Sequence, residues 1–425
     1  MTYAAALEYL EALGRFGLRP GLETVRALSA CAGHPEARLR FIHVAGTNGK
    51  GSTCAFLEAM CREAGLKVGL YTSPHLVSFR ERIQVDREPI PESAVSEWVG
   101  AAREWVTEGR GWTEAHPTFF EMVTVMALAW FERQDCEVVI WETGLGGRLD
   151  ATNLVIPLVS AITNIGWDHM EWLGQTLPEI AREKAGIIKP GVPVVTTERQ
   201  PEVVEVLQGV AQRMRSPFRV VNPDDPEWGT YRDVPLSLLG GHQRWNAALA
   251  LAAIDAAGWT GRFGGEAMRR GLASARWAGR FQVVQRQGKT LVLDGAHNAS
   301  GLEALVSAMA EMFPGRRYGL LVGMLADKDP GQAGELLARG ASRVVVVRVA
   351  SNRGGDPIRL VQAFEPEVGR GEVWVASTLA QGLDWLVDEA LVLVTGSMYL
   401  MGEALEWLGD EAGNERPLND WSPTR

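Results

Sequence analysis

The chain has 425 residues, 46% hydrophobic and 22% charged, with a formal net charge of -10. Such a length exceeds one ordinary core and predicts two domains, and the composition is that of a globular protein, which excludes a disordered chain. The acidic balance argues against a nucleic-acid or anionic-membrane partner, so an anionic substrate must be met by a local cluster of basic groups.

Residues 1–13 show no basic segment leading into an apolar run, and no stretch of about 18 apolar residues occurs anywhere. A cytoplasmic protein is expected. Cys31, Cys54, Cys61 and Cys136 form no CxxC pair, which points to free thiols in a reducing compartment.

Short β-branched runs alternate with longer helical patterns, the signature of a parallel α/β sheet. The first strand is expected at 41–45. Ala45-Gly46-Thr47-Asn48-Gly49-Lys50-Gly51-Ser52-Thr53 follows it and leads into a helix at 53–64. Glycines let successive N–H groups turn toward phosphate oxygens, the helix adds its positive N-terminal end, and Lys50 can neutralise outer phosphates. Ser52 or Thr53 can reach a phosphate or its metal. The spacing departs from GxxxxGK[ST], because Gly51 separates Lys50 from Ser52.

Further strands are expected at 68–71, 137–141, 159–163 and 192–196. Glu142 closes the strand at 137–141, where an NTPase places a metal-binding acid; on its own it would serve equally as a solvated strand end. Three glycines, an arginine and an acid within 142–153 suit a ligand crevice at a strand's C-terminal edge. His169 follows the next strand; a lone histidine is more often structural than a ligand. Lys184 sits among apolar residues in 180–189, a stretch that by itself reads as a helix with surface charges. Residues 242–257 read as a buried alanine-rich helix.

After Gly279-Arg280 the pattern restarts, with strands expected at 290–293, 319–322, 343–349, 372–376 and 391–395. The boundary is placed near 274–280, and 414–425 reads as a loose polar tail.

These motifs, in this order, resemble folylpolyglutamate synthase, including its bifunctional bacterial dihydrofolate synthase form, within the Mur ligase superfamily. The likeness runs through Gly46 to Ser52, Thr72-Ser73-Pro74-His75-Leu76, Phe79 to Ile83, Thr118-Phe119-Phe120-Glu121, Gly144 to Asn153, Glu183-Lys184-Ala185-Gly186, His242-Gln243 with Asn246, Asp294 to Asn298, and Thr395-Gly396-Ser397.

The resemblance implies a larger N-terminal P-loop-type three-layer domain with a parallel sheet at 1–277, binding ATP and folate. A smaller Rossmann-like α/β glutamate ligase domain follows at 281–425. It implies an ATP-dependent ligase that adds L-glutamate to folates, and to dihydropteroate as well, through an acyl phosphate. Gly49, Lys50, Gly51 and Ser52 would hold ATP phosphates, with Asn246, Arg280 and Asp294 contacting the nucleotide. Ser73, Glu142, His169 and Lys184, the last as a carbamate, fall on the ligands of two Mg²⁺ sites; a monovalent cation is a further candidate. Thr118, Phe119, Phe120, Glu121, Leu149, Asp150 and Ala151 match the pterin pocket, with Phe16, Gly17 and Leu18 as an addition. Arg82, His297 and Ser397 match positions implicated in binding glutamate, and Lys50, Lys184 and His297 are the expected catalytic groups. Arg280 and the second domain would close over the nucleotide. A monomer is expected.

A carbamate at Lys184 makes electrostatic sense. An ordinary ammonium would set a positive charge beside Mg²⁺, whereas the neutral amine with CO₂ gives an anion that can ligate the ion. Three alternatives stay open: a folylpolyglutamate synthase without dihydrofolate synthase activity, a related ligase of cell-wall precursors, and a nucleotide-switched binding protein. The Phe119-Phe120 pair favours folate, since aromatic rings suit a flat pterin or benzoyl group.

Overall fold

The computed structural model describes residues 1–14, 21–107, 115–286, 288–369 and 371–412. The tail expected at 414–425 and the pterin candidates Phe16, Gly17 and Leu18 lie outside the described residues. The chain divides into two compact units. The first is Met1–His75, Phe79–Pro235 and Trp245–Ser274; the second is Leu76–Ser78, Leu236–Arg244 and Ala275–Arg425.

The strands of the first unit are β1 (Phe41–Ala45), β2 (Val68–Tyr71), β3 (Ile83–Val85), β4 (Glu88–Pro89), β5 (Val138–Glu142), β6 (Val159–Ile162), β7 (Val194–Thr196) and β8 (Phe218–Val220). They form one sheet in the order β4-β3-β2-β5-β1-β6-β7-β8. Pairing is parallel from β2 across to β8, and only β3 and β4 run antiparallel at one edge. β1, β5 and β6 are buried along their whole length, as parallel strands covered on both faces must be. On one face Trp141 stacks on Tyr71 with ring centroids 4.4 Å apart. The other face carries the Lys50–Glu63 helix, against which the Thr260–Ser274 helix packs at Gly271. A Cβ there would lie 2.5 Å from the Met60 Cα, so only glycine permits the approach.

The helix after the glycine loop starts at Lys50, three residues before the expected start. Gly49, at φ 85°, makes the left-handed turn that lets the helix begin directly after it.

The second unit is built from β9 (Gln282–Arg286), β10 (Lys289–Asp294), β11 (Tyr318–Val322), β12 (Ala341–Val347), β13 (Val373–Ala376) and β14 (Leu391–Thr395). Their order is β13-β12-β11-β14-β10-β9, parallel except for the edge hairpin of β9 with β10. β10 and β14 are register partners, with Asp294 opposite Thr395 at their C-terminal ends.

Candidate active site

In the first unit the glycine loop leaves the C-terminal end of β1, the central strand, and is fixed by its own neighbours. Gly46 adopts φ 142°, and a Cβ on it would overlap Thr163 Oγ1 at 1.7 Å. The Asn164 carbonyl accepts from Thr47 N at 2.8 Å, and its side-chain oxygen accepts from Asn48 N at 2.9 Å. Thr47 Oγ1 accepts from Gly166 N at 2.9 Å. Asn246 abuts Gly49, where a Cβ would sit 2.3 Å from its Oδ1. The expected nucleotide contact is therefore packed against the expected phosphate loop. Ser52 and Thr53 are both buried in the first turn of the helix.

Two lysines reach the same point. Lys50 Nζ donates to the carbonyls of Gly46 and Thr47 at 3.0 and 3.1 Å, and Lys184 Nζ donates to Gly46 O at 2.8 Å. Lys184 closes the Leu177–Lys184 helix and is 5% exposed, not the surface charge that its local sequence would give. Burial pulls its pKa down to about 7, helped by the charge on Lys50 and opposed by Asp168 and Asp150. A large share of Lys184 is thus neutral amine near neutral pH.

Glu142 is the last residue of β5, beside Val44 of β1, and its carboxylate accepts from Ser73 N at 3.0 Å. The ends of β2 and β5 are thereby tied, and two residues expected at a metal stand together. Their hard oxygens suit Mg²⁺, which keeps several waters and phosphate oxygens and needs few protein ligands. Among the described residues no three His, Cys, Asp or Glu side chains gather into a metal cluster of their own. His169 adopts a left-handed φ of 50°, with its ring partly exposed and 3.9 Å from Asp168, an acid that sequence reasoning passed over.

The aromatic segment opens the Phe119–Arg133 helix through a capping box. Thr118 Oγ1 accepts from Glu121 N at 3.3 Å, and the Glu121 carboxylate accepts from Thr118 N at 2.8 Å. Phe120 lies on Gly144, where a Cβ would be 2.4 Å from the ring, and it neighbours Tyr71 at 6.0 Å. Phe119 meets Phe79 edge-on and carries the Arg82 guanidinium 5.3 Å above its ring. Arg82 Nε also donates to His75 Nδ1 at 2.8 Å, and burial together with this cation lowers the His75 pKa to about 4. His75, inside a motif of the sequence, takes no role there yet fixes Arg82 here.

Asp150 and Ala151 begin the turn below. The buried Asp150 carboxylate accepts from Leu145 N at 2.7 Å and Thr152 N at 3.0 Å, so it closes the glycine-rich loop on itself. Leu149 is half-buried beside it.

In the second unit the expected residues collect at the ends of β10 and β14. Asp294 accepts from Phe281 N at 2.7 Å and Ala296 N at 2.8 Å, which holds the backbone directly after Arg280. A Cβ on Gly295 would come within 3.5 Å of Arg280 Nη1. His297 Nδ1 bonds the Gly295 carbonyl at 2.7 Å; a carbonyl only accepts, so Nδ1 carries the proton and Nε2 of the neutral ring is an acceptor. Ser397 is buried and caps the last helix by accepting from Leu400 N at 3.1 Å.

Residues 44–202 match the Mur ligase middle domain, and residues 279–398 match the Mur ligase glutamate ligase domain. The chain is 42% identical over 351 residues to the dihydrofolate synthase/folylpolyglutamate synthase of Bacillus subtilis, covering 77% of this chain and 80% of that one. Folylpolyglutamate synthase from Thermotoga maritima superposes with a TM-score of 0.83 at 34% identity, covering 97% of this chain and 98% of its own. The bifunctional folylpolyglutamate synthase/dihydrofolate synthase of Yersinia pestis, solved with AMPPNP and a manganese ion, gives a TM-score of 0.83 at 30% identity over 96% of this chain and 98% of that one. Among the described residues no helix is long and apolar enough to cross a membrane. The chain belongs to the folylpolyglutamate synthase family of Mur ligases.

Proposed function

We propose that the chain joins L-glutamate to the carboxylate of folates, splitting ATP to ADP and phosphate, and that it accepts dihydropteroate as well. A carboxylate is a poor acyl donor, because its charge repels nucleophiles and oxide is a poor leaving group. Its oxygen attacks the γ-phosphorus of ATP, the bond to the β-phosphate oxygen breaks, and ADP leaves. The glutamate amine then adds to the acyl phosphate carbon, phosphate departs with the acyl C–O bond pair, and the amine loses a proton to give the amide.

The observation that carries this reading is the convergence at the end of β1. Lys50 and Lys184 share the Gly46 carbonyl, while Glu142, one strand over, is tied to Ser73. That is where a triphosphate and its cations need charge. The N–H groups of Gly49, Lys50, Gly51 and Ser52 cradle phosphate, and Asn246, Arg280 and Asp294 attend the nucleotide. Ser73 and Glu142 would hold one Mg²⁺, and His169 with Lys184 as a carbamate a second; a monovalent cation is a further candidate. Bound metal would spread the negative charge of the transferring phosphoryl group.

Phe119, Phe120 and the Leu149–Ala151 turn take the pterin or benzoyl ring, with Thr118 and Glu121 setting the helix that carries the two rings and Phe16, Gly17 and Leu18 added from the sequence alone. Arg82, His297 and Ser397 serve the incoming glutamate. Buried, unpaired Cys54, Cys61 and Cys136 fit a reducing cytoplasm, and the enzyme acts as a monomer.

Phosphate release measured with ATP, glutamate and each pteroate in turn tests the reading. Release should require glutamate and occur with both tetrahydrofolate and dihydropteroate. Activity with tetrahydrofolate alone would remove the dihydropteroate half. No nucleotide consumption with any pterin acid and amino acid together would sink the reading.

A further inference from the structure

Glu198 follows β7 and is 3% exposed, yet among the described residues every partner of its carboxylate is a backbone donor. Oε2 accepts from Ile165 N at 2.6 Å, and Oε1 accepts from Arg199 N at 2.7 Å and Gln200 N at 2.8 Å. Gln200 caps the Pro201–Arg213 helix, whose positive N-terminal end favours an anion there. Its side-chain amide closes the strap by donating to Ile165 O at 3.1 Å. An ionised carboxylate accepts only, so it satisfies three converging donors; a glutamine would turn its own N–H₂ toward at least one of them.

The held segment is the one that grips the phosphate loop. Asn164 takes the N–H groups of Thr47 and Asn48, and Gly166 donates to the Thr47 hydroxyl. The same turn runs on into Asp168 and His169. Among the described residues, Glu198 makes no hydrogen bond to the loop or to a substrate position argued above.

We propose that Glu198 is a positioning residue for ATP. It sets the 164–166 turn, and through Asn164 it fixes where residues 47–48 present the rest of the phosphate loop. The proposal rests on the ATP reading of that loop. A peptide N–H that loses its buried acceptor shifts to find another, so the turn moves and the loop with it.

Steady-state kinetics of Glu198→Gln, with thermal melting alongside, tests this. The expected result is a KM for ATP raised by about tenfold, with the KM values for glutamate and folate unchanged within about twofold. A purely structural residue would lower Tm and the active fraction while leaving the ATP KM alone, and that result overturns the proposal. Gln200→Leu removes only the side-chain bond to Ile165 O and should shift the ATP KM the same way by less; it covers the case in which Glu198→Gln does not fold, and an unshifted ATP KM there overturns the proposal equally. In an Asn164→Ala background the effect of Glu198→Gln should shrink, because its route is gone; undiminished additivity would refute that route. Lys50→Ala run beside them reports on the loop itself: an unchanged ATP KM in that variant would sink the ATP reading, and the proposal with it.

Discussion

Lys50 and Lys184 donate to one and the same acceptor, the carbonyl oxygen of Gly46, at 3.0 and 2.8 Å. Two ammonium groups on one oxygen repel each other, and burial of Lys184 adds to the cost of its charge. Its pKa near 7 follows from both, burial first. The neutral amine is the form that reacts with CO₂, so this pairing favours the starting form of the carbamate proposed at Lys184. A native mass spectrum should show one CO₂ added at Lys184 and lost in acid. Lys184→Ala should lose about 100-fold or more in kcat and recover part of it with short carboxylic acids; full activity without them would refute the role.

The same shift has a sign in stability. Lys184 titrates near 7 when folded and near 10.5 when unfolded. Below about 7 both states carry the proton and the folded state bears the whole burial cost. From about 7 up to 10.5 the unfolded chain binds more protons, so stability from this group rises with pH. In CO₂-free buffer without metal, Tm of the parent should therefore gain more than that of Lys184→Met over this window. Parallel Tm curves for the two proteins would show that Lys184 keeps an ordinary pKa.

Gly46 and Gly100 make a matched pair of glycine tests. A methyl group on Gly46 would run into Thr163 at a backbone φ of 142°, whereas Gly100, inside the Glu92–Thr107 helix, meets nothing within 4 Å. Gly46→Ala should raise the KM for ATP by about tenfold or more and lower Tm. Gly100→Ala should stabilise by about 0.5–1 kcal/mol with kinetics untouched, since alanine loses less entropy in a helix. Equal effects of the two changes on the ATP KM would contradict the packing described around the loop.

The sequence was legible where chemistry and chain are contiguous. The alternation of β-branched runs with helical stretches gave away two mostly parallel sheets, and the loop at 46–52 and Glu142 sit at strand ends where the motifs put them, while His169 lies beyond the end of β6 at the start of the Met170–Leu173 helix. Edge strands β3, β4, β8 and β9 were not anticipated, because strands of two to five residues at an edge bear little periodicity. Nor could local reading see that Lys184 is buried, since its neighbours at 180–189 look like an exposed helix. The roles of Glu198 and His75 were invisible for a different reason: the partners that define them, Ile165 and Arg82, lie 33 and 7 residues away and are joined to them only by the fold. Asp150 and Asp294 stood out as acids, but spacing alone does not reveal that their oxygens are taken up by backbone N–H groups.

Helix packing beside the site depends on Gly271. Its Cβ position lies 2.5 Å from Met60 Cα and 2.6 Å from Met60 N, both backbone atoms that cannot step aside. Gly271→Ala should push the Thr260–Ser274 helix off the Lys50–Glu63 helix and cost about 1–3 kcal/mol, despite alanine's better helix propensity. Urea denaturation measures it. A stabilised variant would mean that the two helices do not approach this closely.

The last test concerns the floor of the central sheet. His43 of β1 is fully buried, and its Nε2 lies 3.0 Å from Thr152 Oγ1. Thr152 donates its own hydroxyl proton to the Asp150 carboxylate, so His43 Nε2 must be the donor to Thr152. Burial, with a contribution from the charge on Lys189, lowers the His43 pKa from 6.5 to about 3. The unfolded chain therefore binds a proton that the folded chain refuses. Stability from His43 is complete above 6.5 and is lost as pH falls from there toward about 3. His43→Gln keeps a side-chain N–H within reach of Thr152 but cannot titrate. Between about pH 7 and about pH 4.5 the parent should lose more stability in urea than His43→Gln, by roughly 1–3 kcal/mol. Carboxylates titrate in both proteins, so the difference between them isolates the histidine; identical losses would show that His43 accepts its proton in the folded state.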